Sequence, residues 1–329
     1  MTSRQEPLVS VVTPVFNGAH YLRECIESVL AQTYTYWDYT IVNNCSTDRT
    51  LDIAQEYAAK DARIRIHNNE TFVRVIANHN IAFRQISPES KYCKVIAADD
   101  WMFPECLEKM VRLAEAHPSV AIVGAYGYGF HGTDVVWDGL PYPSTVTPGH
   151  QLCRTSFLGG PYVFGTPTSV LFRSDIVRSR PAFYNEGNLH ADTEACFEFL
   201  EHHDFGFVHQ VLTFSRVQEH SLTSYSKRVN TYLPSNLDMV IRYGPKYLSD
   251  EELKYVLRRR LRNYYRYLGE QVYKRRSQEF WSFHREKLAA VGYPLSTTRL
   301  VVASLSYALD IILNPKRTAA GLVCRLCRI

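Results

Sequence analysis

The regular alternation along the first 120 residues constrains this chain more than any other feature. Leu8–Val12 is a continuous apolar run, as expected of a strand buried on both faces of a parallel sheet. Asn17-Gly18 makes a turn, and Tyr21, Leu22, Cys25, Ile26, Val29 and Leu30 then recur at helical spacing. Tyr39–Val42, Arg63–His67 and Tyr92–Ala97 read as further strands. Leu51–Ala59, Val73–Ile86 and the segment from Pro104 to about His117 read as the helices between and after them. Pro104 suits the first turn of its helix, where its missing N–H is not needed. A βαβαβαβα order requires crossover helices between parallel strands. The fold class is therefore α/β, a mostly parallel sheet with helices on both faces.

After Val120–Tyr128 the order loosens. Prolines and glycines punctuate 141–167, Asp192–His203 reads as a helix, Gly206–Val217 as a strand, and Gln218–Asn230 as a polar stretch leading out. The tail differs in kind. Residues 1–250 carry 21 Lys/Arg against 27 Asp/Glu, whereas residues 251–329 carry 16 against 6. An acidic body and a strongly basic tail suggest two regions with different partners. Ser249 with Glu252 has the form of a capping box. Leu253, Leu257, Leu261, Tyr264, Leu268 and Val272 then form one apolar stripe, with arginines and lysines on the other faces, which predicts a long basic amphipathic helix. A second helix is expected over Arg299–Leu313, ending before Pro315.

Met1–Pro7 is polar, Leu8–Phe16 is too short for a signal core, and no apolar run reaches the ~18 residues of a membrane span. Eight scattered cysteines, several within apolar stretches, read as reduced buried thiols; the expected setting is the cytoplasm. Cys324 and Cys327 have no second pair to complete a zinc site.

Two polar clusters follow predicted parallel strands, at the edge where open α/β sheets bind ligands. The first is Asn43-Asn44-Cys45-Ser46-Thr47-Asp48 and the second is Asp99-Asp100. Adjacent carboxylates repel one another, and a hard divalent cation bridged to phosphates relieves that repulsion. The residues alone leave a cation site and a solvated turn equally open.

Three segments, in order and in register, resemble glycosyltransferase family 2: Val9–Asn17 with Leu22 and Ser28–Thr33, the Ile41–Asp48 loop, and Asp99-Asp100. The resemblance covers roughly residues 8–225. It implies the GT-A fold, with a nucleotide-sugar and metal half (8–118), an acceptor half (119–225) and, beyond it, a basic helical C-terminal extension (226–329). It implies transfer of a sugar, with inversion, from a UDP- or dTDP-sugar to an acceptor hydroxyl on a saccharide or a lipid-linked molecule, in surface polysaccharide or glycolipid assembly. Pro14 and Phe16 match positions lining the base pocket. Asn43 stands where the family usually has an aspartate that accepts from the base; an amide keeps one acceptor and adds two donors. Asn80 matches a segment near the donor phosphates. Asp99 would hold the ribose or the metal's water shell, and Asp100 would bind Mn²⁺ or Mg²⁺. Asp192, at the start of a helix, matches the general base, with Ala191 in place of the usual preceding acid and Glu194 as the fallback. His220 falls two residues beyond the family's usual histidine position, occupied here by Gln218, and is the remaining metal candidate. Gly165–Ser169 with Arg173 matches a loop shaping the acceptor pocket. Asp48 reads as the cap of the following helix.

Two other classes compete. A sugar nucleotidyltransferase would need a Gly-rich phosphate loop that Thr13–Gly18 does not supply. A non-catalytic sugar-nucleotide-binding or assembly protein gains from the Asn43, Ala191 and Gln218 departures and loses from the retained Asp99, Asp100 and Asp192. For the tail, the alternatives are an amphipathic surface against anionic lipid headgroups and a helical subdomain that packs its stripe inward. Nucleic acid is not an expected partner, because the basic residues come with no recognition motif.

Overall fold

The computed structural model describes residues 6–129, 134–135, 138–216 and 222–314. The chain forms two compact units, Met1–Ser224 and Tyr225–Ile329.

The first unit is built on strands β1 (Val9–Val15), β2 (Trp37–Asn43), β3 (Ile64–Asn68), β4 (Tyr92–Val95), β5 (Trp101–Met102), β6 (Val120–Gly129), β7 (Asp134–Val135), β8 (Val146–Thr147), β9 (Val170–Arg173) and β10 (Asp204–Ser215). They form one sheet in the order β3-β2-β1-β4-β9-β6-β10-β5, with β7 on β6 and β8 on β10. β3, β2, β1 and β4 pair in parallel. β9 then runs against both β4 and β6, and β10 is parallel to β6. The sheet is therefore mostly parallel, as the alternation predicts, with its reversal at β9. Helices α1 (Leu22–Leu30), α2 (Thr50–Ala58), α3 (Val75–Arg84), α4 (Cys106–Ala116), α5 (Gly149–Leu158), α6 (Ser174–Arg178) and α7 (Ala191–Phe199) complete the unit.

The valines of β1 are buried, and Leu22, Cys25, Ile26 and Val29 of α1 pack with them at i, i+3, i+4 and i+7. The same cluster takes in Leu107, Met110 and Val111 of α4, so this core clamps the β2-β1-β4 strands whose carboxyl ends matter below. β4 stops two residues short of the predicted Ala97. The Ala97 N–H leaves the ladder and donates to the Thr168 hydroxyl at 3.1 Å. Cys25, Cys93, Cys106, Cys153 and Cys196 are free and buried.

α8 (Leu222–Val229) lies where a polar stretch was expected. Leu222, Tyr225 and Val229 recur at helical spacing, and Val229 is buried. The second unit continues with α9 (Tyr232–Tyr247), α10 (Asp250–Tyr273), α11 (Gln278–Ala290) and α12 (Thr297–Leu313). α9 was not anticipated because prolines stand near both its ends; Pro234 sits in the first turn, where it is tolerated. The capping box of α10 is formed: the Glu252 N–H donates to Ser249 Oγ at 3.3 Å and the Ser249 N–H to Glu252 Oε2 at 3.0 Å. Of the two alternatives for the apolar stripe of α10, the structure has the one in which it packs inward. Leu257, Leu261, Tyr264 and Leu268 pack inside the unit with Leu237, Phe280 and Leu288. Among the described residues, no helix is long and apolar enough to cross a membrane.

Candidate active site

The carboxyl ends of β2, β1 and β4 lie side by side, because β1 pairs with both neighbours. Phe16 follows β1, Asn43 closes β2 opposite Val15, and Asp99-Asp100 follow β4. Pro14, on β1, is paired in register with Val42. Hydrogen bonds join the β1 and β2 loops: the Asn17 N–H donates to Ser46 Oγ, the Thr47 N–H to Asn17 Oδ1, and the Gly18 N–H to Thr50 Oγ1. Asp48 accepts from the Thr50 N–H and from the Ala19 N–H, but it stands one residue before the cap of α2, a position that Arg49 takes, so the expected Asp48 cap is not formed. Phe16 is 47% exposed and meets Phe72, 58% exposed, edge to face at 4.8 Å. Two exposed rings at one strand end present an open aromatic surface.

At the end of β2 lies a network of amides. Asn43 accepts from the Ser46 N–H at 3.1 Å and donates to Asn68 Oδ1 at 3.0 Å. Asn44 donates to the Val73 carbonyl at 2.8 Å and accepts from the Val73 N–H at 3.0 Å and from Asn69 Nδ2 at 2.9 Å. Both are buried and internally paired.

Asp100 is held differently. Its Oδ2 accepts from Thr168 Oγ1 at 2.6 Å and from Ser215 Oγ at 3.2 Å, and its Oδ1 accepts from the Arg216 N–H at 2.8 Å. Burial and then the neighbouring Asp99 carboxylate push its pKa up to about 7, against the lowering effect of those donors. Three hydrogen bonds thus do not neutralise the pair. Thr168 is itself fixed from below by Lys94, a lysine fully buried in β4. Its Nζ donates to the Thr168 carbonyl at 2.5 Å and to the Val170 carbonyl at 3.1 Å, and burial lowers its pKa. Arg216 Nε donates to the Asp99 carbonyl at 3.0 Å, and its guanidinium lies 4.2 Å over the Tyr21 ring.

Asp192 occupies the first turn of α7, where a carboxylate is favoured by the helix dipole. Burial nonetheless raises its pKa to about 6. Glu194 is no alternative to it. It is buried, with its carboxylate accepting from Asn185 Nδ2 and, at 2.7 Å, from Asn188 Nδ2. The start of α7 is linked to the support of Asp100. Thr193 Oγ1 and the Tyr162 hydroxyl lie 2.8 Å apart, and Tyr162 donates to the Gly165 carbonyl, three residues before Thr168. One loop, 162–169, therefore donates to Asp100 and meets the residue next to Asp192.

Asn80 is only 1% exposed, and its amide is closed off by the 184–186 segment. It donates to the Tyr184 carbonyl and to Glu186 Oε1, and it accepts from the Tyr184 N–H. His220 and Gln218 lie outside the described residues. Among the described residues, no three His, Cys, Asp or Glu side chains converge as a metal cluster. Asp99 and Asp100 are still a fitting pair for a hard cation that keeps water or phosphate as its other ligands. Asp100 is under-neutralised, and its Oδ1 accepts only one hydrogen bond from a described residue. Sequence reasoning did not assign Thr168, Ser215, Lys94 or Phe72. Thr168 and Ser215 lie 68 and 115 residues from Asp100, so no local spacing could have joined them. Lys94 left a signal, a charge in the middle of an otherwise apolar strand.

The model of the family described as Glycosyl transferase family 2 matches residues 10–180, more than half of the chain. The chain belongs to that family. It is 32% identical over 158 residues to the putative glycosyltransferase EpsE of Bacillus subtilis, covering 46% of this chain and 56% of EpsE. It is 35% identical over 107 residues to the putative teichuronic acid biosynthesis glycosyltransferase TuaG of the same organism, covering 32% of this chain and 42% of TuaG. The matches thus span about half the length of these curated relatives. Among solved structures, S. aureus TarS in complex with UDP-GlcNAc is similar with a TM-score of 0.65 at 16% identity, covering 86% of this chain and 80% of that one. The mannosyltransferase PcManGT from Pyrobaculum calidifontis, in complex with GDP-Man and Mn²⁺, has a TM-score of 0.56 at 15% identity, covering 97% and 84%. These likenesses establish the GT-A fold for this family 2 chain.

Proposed function

We propose that the first unit is a metal-dependent inverting glycosyltransferase that moves a sugar from a nucleotide-diphosphate donor, a UDP- or dTDP-sugar, to an acceptor hydroxyl on a saccharide or lipid-linked molecule. The acceptor reading fits assembly of a surface polysaccharide or glycolipid. The observation that carries the proposal is a pair of carboxyl groups with raised pKa values, Asp100 and Asp192, linked through one loop that donates to Asp100 from Thr168 and meets Thr193, beside Asp192, through Tyr162.

Phe16 offers its ring to the base, and Asn43 offers the rim of the amide network at the end of β2. Asp99 and Asp100 would hold Mn²⁺ or Mg²⁺, which when bound supplies Lewis-acid stabilisation of the diphosphate leaving group. Thr168, Ser215 and the Arg216 N–H fix the Asp100 carboxylate so that it need not reorganise during the reaction. Asp192 accepts the acceptor hydroxyl's proton as the new C–O bond forms and the bond from the anomeric carbon to the diphosphate oxygen breaks, releasing the nucleoside diphosphate. A pKa of about 6 leaves it ionised at neutral pH and more basic than an ordinary aspartate.

The internal pairing of Asn43 favours one other reading, a protein that binds sugar nucleotides without turnover. One assay separates the two. Nucleoside diphosphate release is followed with Mn²⁺ across a panel of nucleotide sugars, for wild type and Asp100→Ala. Release that Asp100→Ala loses by at least about 10²-fold supports catalysis. Donor binding by wild type with no release from any donor would establish the non-catalytic reading.

A further inference from the structure

α12 is built inside out. None of its side chains is buried. Its inward side mixes Leu300, which packs on the unit's core, with the half-buried Ala303, Ser304 and Tyr307. A Cβ on Gly269 of α10 would come within 2.7 Å of the Ala303 backbone, and the Tyr273 hydroxyl donates to the Ser304 carbonyl at 3.0 Å. Its outward side is aliphatic. Val301, Val302, Leu305, Leu309, Ile312 and Leu313 are each 50–74% exposed. At 100° per residue these six fall within about a third of the helix circumference, so they form one stripe. Single exposed leucines need no explanation, but a continuous stripe of six does.

The charge beside the stripe says what covers it. A cleft of about 1310 Å³ runs between α10 and α12, lined by Arg258, Arg262, Arg266 and Arg299 together with the acids Glu270 and Asp310. The first three arginines follow one another at i, i+4 and i+8, and all four are exposed. Glu270 is paired with Lys274, four residues on, and Asp310 accepts from Asn314 Nδ2. None of the four arginines forms an ion pair with a described residue. A second copy of this chain would bring these like charges together, whereas an anionic lipid surface meets both the arginines and the aliphatic stripe. At 17 residues α12 is roughly 25 Å long, too short to span a bilayer but suited to lying in its interface.

We propose that α12 lies in the interface of an anionic lipid bilayer, its aliphatic stripe among the upper acyl chains and Arg258, Arg262, Arg266 and Arg299 on lipid phosphates. This surface is independent of the catalytic reading and replaces the α10 stripe as the docking face.

The test is co-sedimentation of the full chain with vesicles of phosphatidylcholine alone or mixed equally with phosphatidylglycerol, with light scattering on the same samples. The wild type pellets with the anionic vesicles, is released by high salt, and stays in solution with the neutral ones. Replacing Arg258, Arg262 and Arg266 by alanine weakens binding on the order of a hundredfold. Leu305→Glu with Leu309→Glu weakens it by about tenfold or more, with an unchanged thermal transition because neither side chain is buried. The proposal is overturned if the wild type stays soluble with anionic vesicles, or binds neutral ones equally. It is also overturned if scattering shows a dimer that the leucine variant abolishes and that does not bind vesicles.

Discussion

The strand ends that follow β2 and β4 are neighbours in one sheet, yet they are in opposite electrostatic conditions. After β2, Asn43 donates to Asn68 and Asn69 donates to Asn44, with no ionised group taking part, and the buried Asn69 Oδ1 is the amide oxygen left without a partner among the described residues. After β4, Asp99 and Asp100 stand together, and the donors around Asp100 leave its pKa at about 7. A region whose polar groups are mostly paired is held by its own hydrogen bonds, and one where two carboxyl groups crowd together with a raised pKa is a candidate functional site. Under the proposed function the contrast would divide the labour, with shape and stacking at the amide end, and charge and proton transfer at the acidic end with Asp192.

Four substitutions break or sharpen that contrast. The largest expected effect is that of Asp192→Asn, which removes the proton acceptor while keeping the shape. Turnover falls by about 10³-fold with donor affinity unchanged, read by steady-state kinetics beside a donor titration. Next is Asn44→Asp. The amide that donates to the Val73 carbonyl becomes a buried carboxylate facing that carbonyl, which costs about 2 kcal/mol of stability in a denaturant titration. Thr168→Val removes one of three donors to Asp100 and lowers turnover about tenfold, and Thr168→Ser restores most of it. Asn43→Asp has the smallest effect. The Asn68 amide can turn to donate, so donor affinity shifts by about threefold or less in a thermal-shift or calorimetric titration.

The parallel half of the sheet was legible because three buried apolar runs and one alternating strand are separated by helical repeats, and each predicted strand of that half is present within a few residues. The reversal at β9 was not, since Val170–Arg173 is short and its partners β4 and β6 are remote in sequence. Asp99, Asp100 and Asp192 could be named from motif order, but not their supports. Thr168 and Ser215 reach Asp100 only through tertiary folding, and Tyr162 reaches Thr193 across 31 residues. The internal pairing of Asn80 was likewise invisible, because Tyr184 lies 104 residues away. In the tail, the helical period of α10 was clear, but not which neighbour its stripe would meet. α11 and α9 absorb that stripe, and α12 is the helix left facing outward.

The most direct test of the central claim is the pH profile of nucleoside diphosphate release with saturating donor and Mn²⁺. Asp192 must be ionised to accept a proton, and burial holds its pKa near about 6. The wild-type rate should therefore be level above that pH and fall about tenfold per unit below it, and Asp192→Asn should be slow with no such limb. An Asp192→Asn enzyme that keeps the wild-type rate and the same acidic limb would contradict the account.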